Sequence, residues 1–211
     1  IALNIPRTFS PLPLPGPDGL RLLVATSTYE TASPRDALAT PTVRALRPRT
    51  RAQAPVAEPD TTSAGALALA DIDGDGDLDL FIAGRVIPAA YPLPARSRLL
   101  RNDGGTFVPD PVASALLANV GMVSAATFAD VDGDGDADLL LALEWGPVRR
   151  YLNEGGRFRD ATDAWGLGAL TSRWNGIATG DLDGDGRLDL VVTSWGRNAG
   201  RGASVERPLY L

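Results

Sequence analysis

The sequence predicts an all-β chain made of stacked four-stranded units, and three observations predict it. A nine-residue acidic pattern occurs three times, a hairpin signal recurs at a fixed distance from it, and the composition favours short elements. With 23 Gly, 17 Pro and 6% aromatics in 211 residues, many tight turns are expected and few long helices.

The repeats come first, because they set the fold. Asp71 to Asp79 (DIDGDGDLD), Asp130 to Asp138 (DVDGDGDAD) and Asp181 to Asp189 (DLDGDGRLD) align without gaps, their starts 59 and 51 residues apart. Each follows a small apolar stretch, residues 66–70, 125–129 and 176–180. Each precedes a strand-like run: LDLFIAG from Leu78, ADLLLAL from Ala137 and LDLVVTSW from Leu188. Downstream, Leu100-Arg101-Asn102-Asp103-Gly104-Gly105-Thr106-Phe107 matches Tyr151-Leu152-Asn153-Glu154-Gly155-Gly156-Arg157-Phe158. A strand, an Asn-acid-Gly-Gly turn and a second strand read as a hairpin. Asn102 to Asp130 and Asn153 to Asp181 are both 28 residues, so the difference in period falls between the second and third strands. There Val86 to Pro92 reads as an inserted loop, and indels confined to one loop are how stacked repeats vary.

The first quarter of the chain has two open readings. Asp18 to Ala25 resembles Asp75-Gly76 with its following strand, and Pro41 to Leu46 resembles Pro147 to Leu152, which suggests a decayed unit without metal. The other reading is a Pro/Ala/Arg-rich linker across residues 26–63. Four short strands in about 50 residues is the size of a propeller blade. The expected architecture is a partial β-propeller of about three and a half four-stranded antiparallel blades with Ca²⁺ loops between strands. Its segments are 1–63 (metal-free blade or linker), 64–121 (blade), 122–173 (blade) and 174–211 (truncated blade). Tyr210-Leu211 matches Tyr151-Leu152, so a longer parent is expected to continue with Asn and further blades, which would cover the open edge.

Composition narrows the chemistry. The chain has no His, Cys or Lys, which removes the Ser-His-Asp triad, thiol nucleophiles, Schiff bases and ordinary zinc or copper sites. Fourteen of its 26 acidic residues lie in the three nine-residue windows; outside them 12 acids face 19 arginines. The net charge of -6 is therefore local to the loops and would be cancelled by three divalent cations. No apolar run reaches the roughly 18 residues of a membrane span.

The loops have the chemistry of calcium sites. Ca²⁺ takes six to eight oxygens at about 2.3–2.6 Å, and carboxylates at positions 1, 3, 5 and 9 with a backbone carbonyl at 7 supply them. Gly at position 6 permits the sharp bend. Asp77, Asp136 and Arg187 hold position 7, so Arg187 is no defect. Without the ion the crowded carboxylates repel one another, so binding is expected to couple to local order. The loop is not an EF-hand: that motif needs Glu at position 12 between helices. Here position 12 holds Ile82, Leu141 and Val192 in strand-like runs.

On these motifs the chain resembles the FG-GAP or VCBS repeat of integrin-α-type propellers. The stretch from Tyr151 to Arg197 is similar to the bacterial cartilage-acidic-protein-like group, often joined to an ASPIC/UnbV domain. The likeness covers roughly residues 64–211, and the name-giving Phe-Gly and Gly-Ala-Pro pairs are absent. The resemblance implies one Ca²⁺ per loop, three in all. Their side-chain ligands would be Asp71, Asp73, Asp75 and Asp79; Asp130, Asp132, Asp134 and Asp138; Asp181, Asp183, Asp185 and Asp189.

Outside the loops, Trp145 and Trp195 end equivalent strands, either lining a ligand rim or packing between blades. Trp165 and Trp174 read as core. Arg96, Arg98, Arg101, Arg149 and Arg150 fall on third strands and read as a solvated face ahead of an anion site. Arg44, Arg47, Arg49 and Arg51 lack the aromatic interleaving of a nucleic-acid site. The functional expectation is a non-catalytic, secreted, periplasmic or cell-surface adhesion module for a protein or glycan. The alternative is a scaffold within a larger secreted enzyme, such as a polysaccharide-processing one. Fold alone decides neither.

Overall fold

A computed structural model describes residues 12–15, 19–28, 35 and 38–195. The strand expected to end at Leu211 and the Asp18 end of the first copy lie outside the described residues. The described chain is mostly β and wholly antiparallel in its pairing.

Three sheets follow one another in chain order. The first is a meander of β1 (Leu12–Leu14), β2 (Arg21–Ala25), β3 (Val43–Leu46) and β4 (Gln53–Ala57). The second is a meander of β5 (Ser63–Ala70), β6 (Asp79–Val86), β7 (Arg98–Asp103) and β8 (Thr106–Pro109). The third contains β9 (Met122–Ala129), β10 (Asp138–Gly146), β11 (Arg149–Asn153) and β12 (Phe158–Asp160). It extends to β13 (Ser172–Gly180) and β14 (Asp189–Ser194), which form their own hairpin. The link is short: only Glu144 and Gly146 of β10 pair with Arg173 and Ser172 of β13. Among the described residues the sheets do not close into a ring.

Burial explains why the second strands are so apolar. Leu80 and Ile82 of β6 pack with Leu14, Leu23 and Val43 of the first sheet. Phe81 and Ala83, on the other side of the same strand, pack with Val123, Leu139 and Leu141 of the third. A strand covered on both faces reads as a continuous apolar run rather than an alternating one. The leading strands β5, β9 and β13 lie next to one another, so each sheet stacks on its successor.

Two local features depart from the all-strand expectation. Helix α1 (Pro111–Leu117) follows β8, capped by Asp110, whose side chain accepts the amides of Val112 and Ala113. Asp-Pro ahead of an apolar run is a helix start signal. Leu117 is fully buried in the core between the second and third sheets. In the next repeat the same place holds 3₁₀ turns, Thr162–Trp165 and Leu167–Ala169. The inserted loop after Val86 folds back over β6. A side chain at Gly84 would meet the carbonyls of Ala95 and Arg96 at 2.5 Å, so only glycine fits there.

Candidate metal centre

Each acidic loop closes a hairpin between the first two strands of a unit: β5–β6, β9–β10 and β13–β14. All three loops therefore lie at the same end of their sheets. Their hydrogen bonds repeat almost unchanged. The carboxylate at position 1 accepts the amides of positions 4 and 6. Gly74 and Gly76 donate to Asp71 at 2.8 and 2.9 Å, Gly133 and Gly135 to Asp130 at 2.7 and 3.0 Å, and Gly184 and Gly186 to Asp181 at 2.7 and 3.0 Å. Both glycines of each loop have positive φ, a backbone that L side chains rarely adopt.

Position 9 anchors the loop to the sheet. The Asp79 Oδ2 atom accepts the Ile72 amide at 3.0 Å and its Oδ1 accepts the Asn102 amide at 2.8 Å. Asp138 does the same with Val131 at 3.1 Å and Asn153 at 2.8 Å. Both carboxylates are fully buried. Desolvation pushes each above the ordinary carboxylate range, against the pull of those amides. The neighbouring Asp73 and Asp132 charges add to the rise, while Arg101 and Arg150 oppose it. Three carboxylates in one partly buried cluster carry more negative charge than these arginines offset, and a divalent ion would balance it.

The structure brings positions 1, 3 and 9 together. One carboxylate oxygen from each of Asp71, Asp73 and Asp79 lies within 4.8 Å of the other two, and the same holds for Asp130, Asp132, Asp138 and for Asp181, Asp183, Asp189. Oxygen-only clusters of this size can hold a hard metal ion. Asp75, Asp134 and Asp185 stand outside these groups. Their Oδ1 atoms accept the amide of position 7, at 2.8, 2.9 and 2.8 Å. Position 7 carries a side-chain role that its assignment as a carbonyl donor does not anticipate. Asp77 accepts the Gly104 amide at 3.0 Å and Asp136 the Gly155 amide at 2.6 Å, which ties the loop to the β7–β8 or β11–β12 turn. Arg187 cannot accept in this way.

That turn is itself built for the purpose. Asn102 Oδ1 accepts the Gly105 amide and Asn153 Oδ1 the Gly156 amide, at 2.9 and 2.8 Å. Asn153 also donates to the carbonyl of Ile72 at 2.8 Å, so the third sheet holds the first loop. Residues 130–192 match the FG-GAP-like repeat. No curated protein matches the chain. The FG-GAP-like match begins at position 1 of the second loop and ends within β14, so it spans two acidic loops and the hairpin between them.

A second polar cluster lies at the opposite end of the sheets. Glu144, buried near the end of β10, pairs with Arg85 of β6 and Arg173 of β13, both at 3.1 Å, and accepts the Tyr91 hydroxyl at 3.3 Å. Trp145 donates from its indole to the Tyr91 oxygen at 2.7 Å and adopts a positive φ of 64°, unusual for a bulky residue. The Arg173 guanidinium lies over the Trp195 ring at 4.1 Å and faces Trp145 at 5.6 Å. Trp195 and Tyr91 are about half exposed. Trp145 and Trp195 thus share one rim with Tyr91.

Two sequence readings are corrected. Trp165 is not core: it is 37% exposed and lies over the buried Arg150 guanidinium at 4.0 Å, covering that charge with one face and leaving the rest of the ring to solvent. The arginines of the third strands are not one solvated face. Arg96 is exposed, but Arg150 is buried, Arg98 pairs with Asp60 at 3.3 Å and Arg101 reaches into the first loop.

Proposed function

We propose that this chain is a calcium-stabilised binding or adhesion module: consecutive propeller blades β1–β4, β5–β8, β9–β12 and β13–β14, with one Ca²⁺ in each of the three acidic loops. The observation that carries the reading is the position-9 carboxylate. In the first two loops it is buried, bonded to the amide of position 2 in its own loop and to the Asn that opens the hairpin turn. A cation there braces the joint between strands and has no need to face a ligand. Calcium is favoured over softer metals because every donor is oxygen. The kinship proposed is with the cartilage-acidic-protein-like group, on the Tyr151–Arg197 stretch. Calcium sites of this type suit a secreted, periplasmic or cell-surface setting.

The ligand surface we assign is the rim opposite the metal loops. Half-exposed Trp195 and Tyr91, with Trp145 behind them, offer aromatic faces beside arginines, a surface that suits a glycan or a protein loop. The rim is a recognition surface without catalysis, and no nucleic-acid role is assigned. The test is a glycan and protein array with the 211-residue chain, wild type and Trp195→Ala, in calcium. A ligand retained by wild type and lost by the variant supports the rim. Absence of any ligand would favour the scaffold reading, in which a larger secreted enzyme carries the chemistry elsewhere.

A further inference from the structure

The three acidic loops are not equivalent, and the difference is one arginine. Arg101 of β7 extends its guanidinium into the first loop, where Nη1 lies 3.1 Å from Asp73 Oδ2 and 3.8 Å from Asp79 Oδ2. Its other nitrogens are held from outside the loop. Nη2 and Nε meet Asp110 Oδ2 at 3.1 Å, and Nη2 also donates to the Gly156 carbonyl in the turn of the third sheet. The residue is 21% exposed, so water screens it only in part. In the second repeat the aligned position is Leu152, which is buried and carries no charge. Among the described residues no arginine forms an ion pair with the position 1, 3 or 9 carboxylates of the second or third loop.

We propose that Arg101 is a resident counter-cation that keeps the first loop ordered without metal and makes it the weakest of the three calcium sites. The inference rests on the calcium reading of the loops. A divalent ion entering the first loop must displace the guanidinium from Asp73 and Asp79 or bind beside its positive charge; either reduces the net gain. Arg150 and Arg159 act on the second loop only from beyond ion-pair distance, and among the described residues no guanidinium sits within the second or third loop. Arg101 acts as a positioning residue, since it sets the charge that the ligands present and is not itself a ligand. It also ties the first loop to the third sheet through Gly156, alongside the Asn153 bond to Ile72. The metal-free protein therefore keeps this joint closed.

The test is calcium titration of the whole chain by calorimetry and native mass spectrometry, with thermal melts in EDTA. Wild type is expected to bind two ions more tightly than a third, by about tenfold, the scale of one extra partly screened charge. Asp71→Asn should delete the weak class, and Asp130→Asn a tight one. Arg101→Leu, which copies Leu152, should tighten the weak site towards the others while lowering the melting temperature in EDTA. Arg101→Lys, which keeps the charge, should leave the weak site weak. These opposite signs separate the proposal from a merely structural role, in which losing Arg101 would loosen the loop and weaken calcium. Three equal sites in wild type, or a weak class that survives Asp71→Asn, overturn the proposal and leave the calcium reading standing; so does weaker calcium in Arg101→Leu. If Arg101→Leu does not fold, the wild-type and Asp71→Asn titrations still decide. No calcium binding to any variant overturns both.

Discussion

Replacing Asp138 with alanine separates what the sheet requires from what the metal requires. Its carboxylate is fully buried and accepts two backbone amides, Val131 at 3.1 Å and Asn153 at 2.8 Å. Each charge-assisted bond of this kind contributes about 1.5–3 kcal/mol, and the alanine leaves both amides without an acceptor. Part of that loss is returned, because the variant no longer buries a carboxylate whose desolvation raises its pKa. The net cost worked from these terms is about 2–4 kcal/mol without any metal. At this chain length that corresponds to a fall of roughly 5–15 °C in melting temperature. Asp134 gives the contrast. It is exposed, and its one bond, to the Asp136 amide, is replaceable by water. Asp134→Ala should cost at most about 0.5 kcal/mol in EDTA, and more in calcium if the ion is bound there. Thermal melts by circular dichroism in 5 mM-scale calcium and in EDTA, on the order of saturating for such loops, provide both numbers. An Asp138→Ala loss below about 1 kcal/mol in EDTA would refute the reasoning that the carboxylate is part of the strand joint.

Three further outcomes follow from the packing. Glu144→Ala should destabilise by about 2 kcal/mol equally in calcium and EDTA, since it leaves Arg85 and Arg173 without their shared counter-charge, and equal melts of variant and wild type would contradict this. Gly84→Ala should fail to fold or lose more than about 3 kcal/mol, because its methyl group would overlap the Ala95 and Arg96 carbonyls; a soluble variant melting near wild type would show that the inserted loop does not lie there. Tyr151 is pushed up to about 12, chiefly by burial, with the Asp160 charge adding to it and Arg149 opposing. The unfolded chain releases this proton near pH 10, so the contribution is complete below pH 10 and is lost as the pH rises through 12. The loss amounts to about 2–3 kcal/mol, and Tyr151→Phe should flatten that limb of the stability curve.

How much of this was legible in the sequence depends on how local the cause is. The acidic loops are legible because the spacing brings positions 1, 3 and 9 together in each, while position 5, expected to join them, stands outside these groups. The hairpin turns are legible for the same reason, since Asn102 and Asn153 bond to residues three positions on. Helix α1 had a readable signal in Asp110-Pro111, outweighed by the repetition of strands around it. The first sheet, residues 12–57, was harder to read: its strands are three to five residues long, and β4 is mostly exposed. Contacts between sheets left no mark at all. Arg101 reaches Gly156 and Asn153 reaches Ile72 across 55 and 81 residues, and the partner of a side chain at that separation is set by stacking. Trp165 shows the same limit, since only the fold places Arg150 against it.

Counting the bound ions tests most directly whether the three loops bind calcium. Calcium measured by plasma emission on the purified 211-residue chain, after dialysis against buffer of roughly millimolar free calcium, should exceed the dialysate by about three per chain, one for each acidic cluster. Combined replacement of Asp71, Asp130 and Asp181 should bring the count to zero. A wild-type chain that holds no calcium at millimolar-scale free ion, or keeps its calcium in the triple variant, would contradict the account.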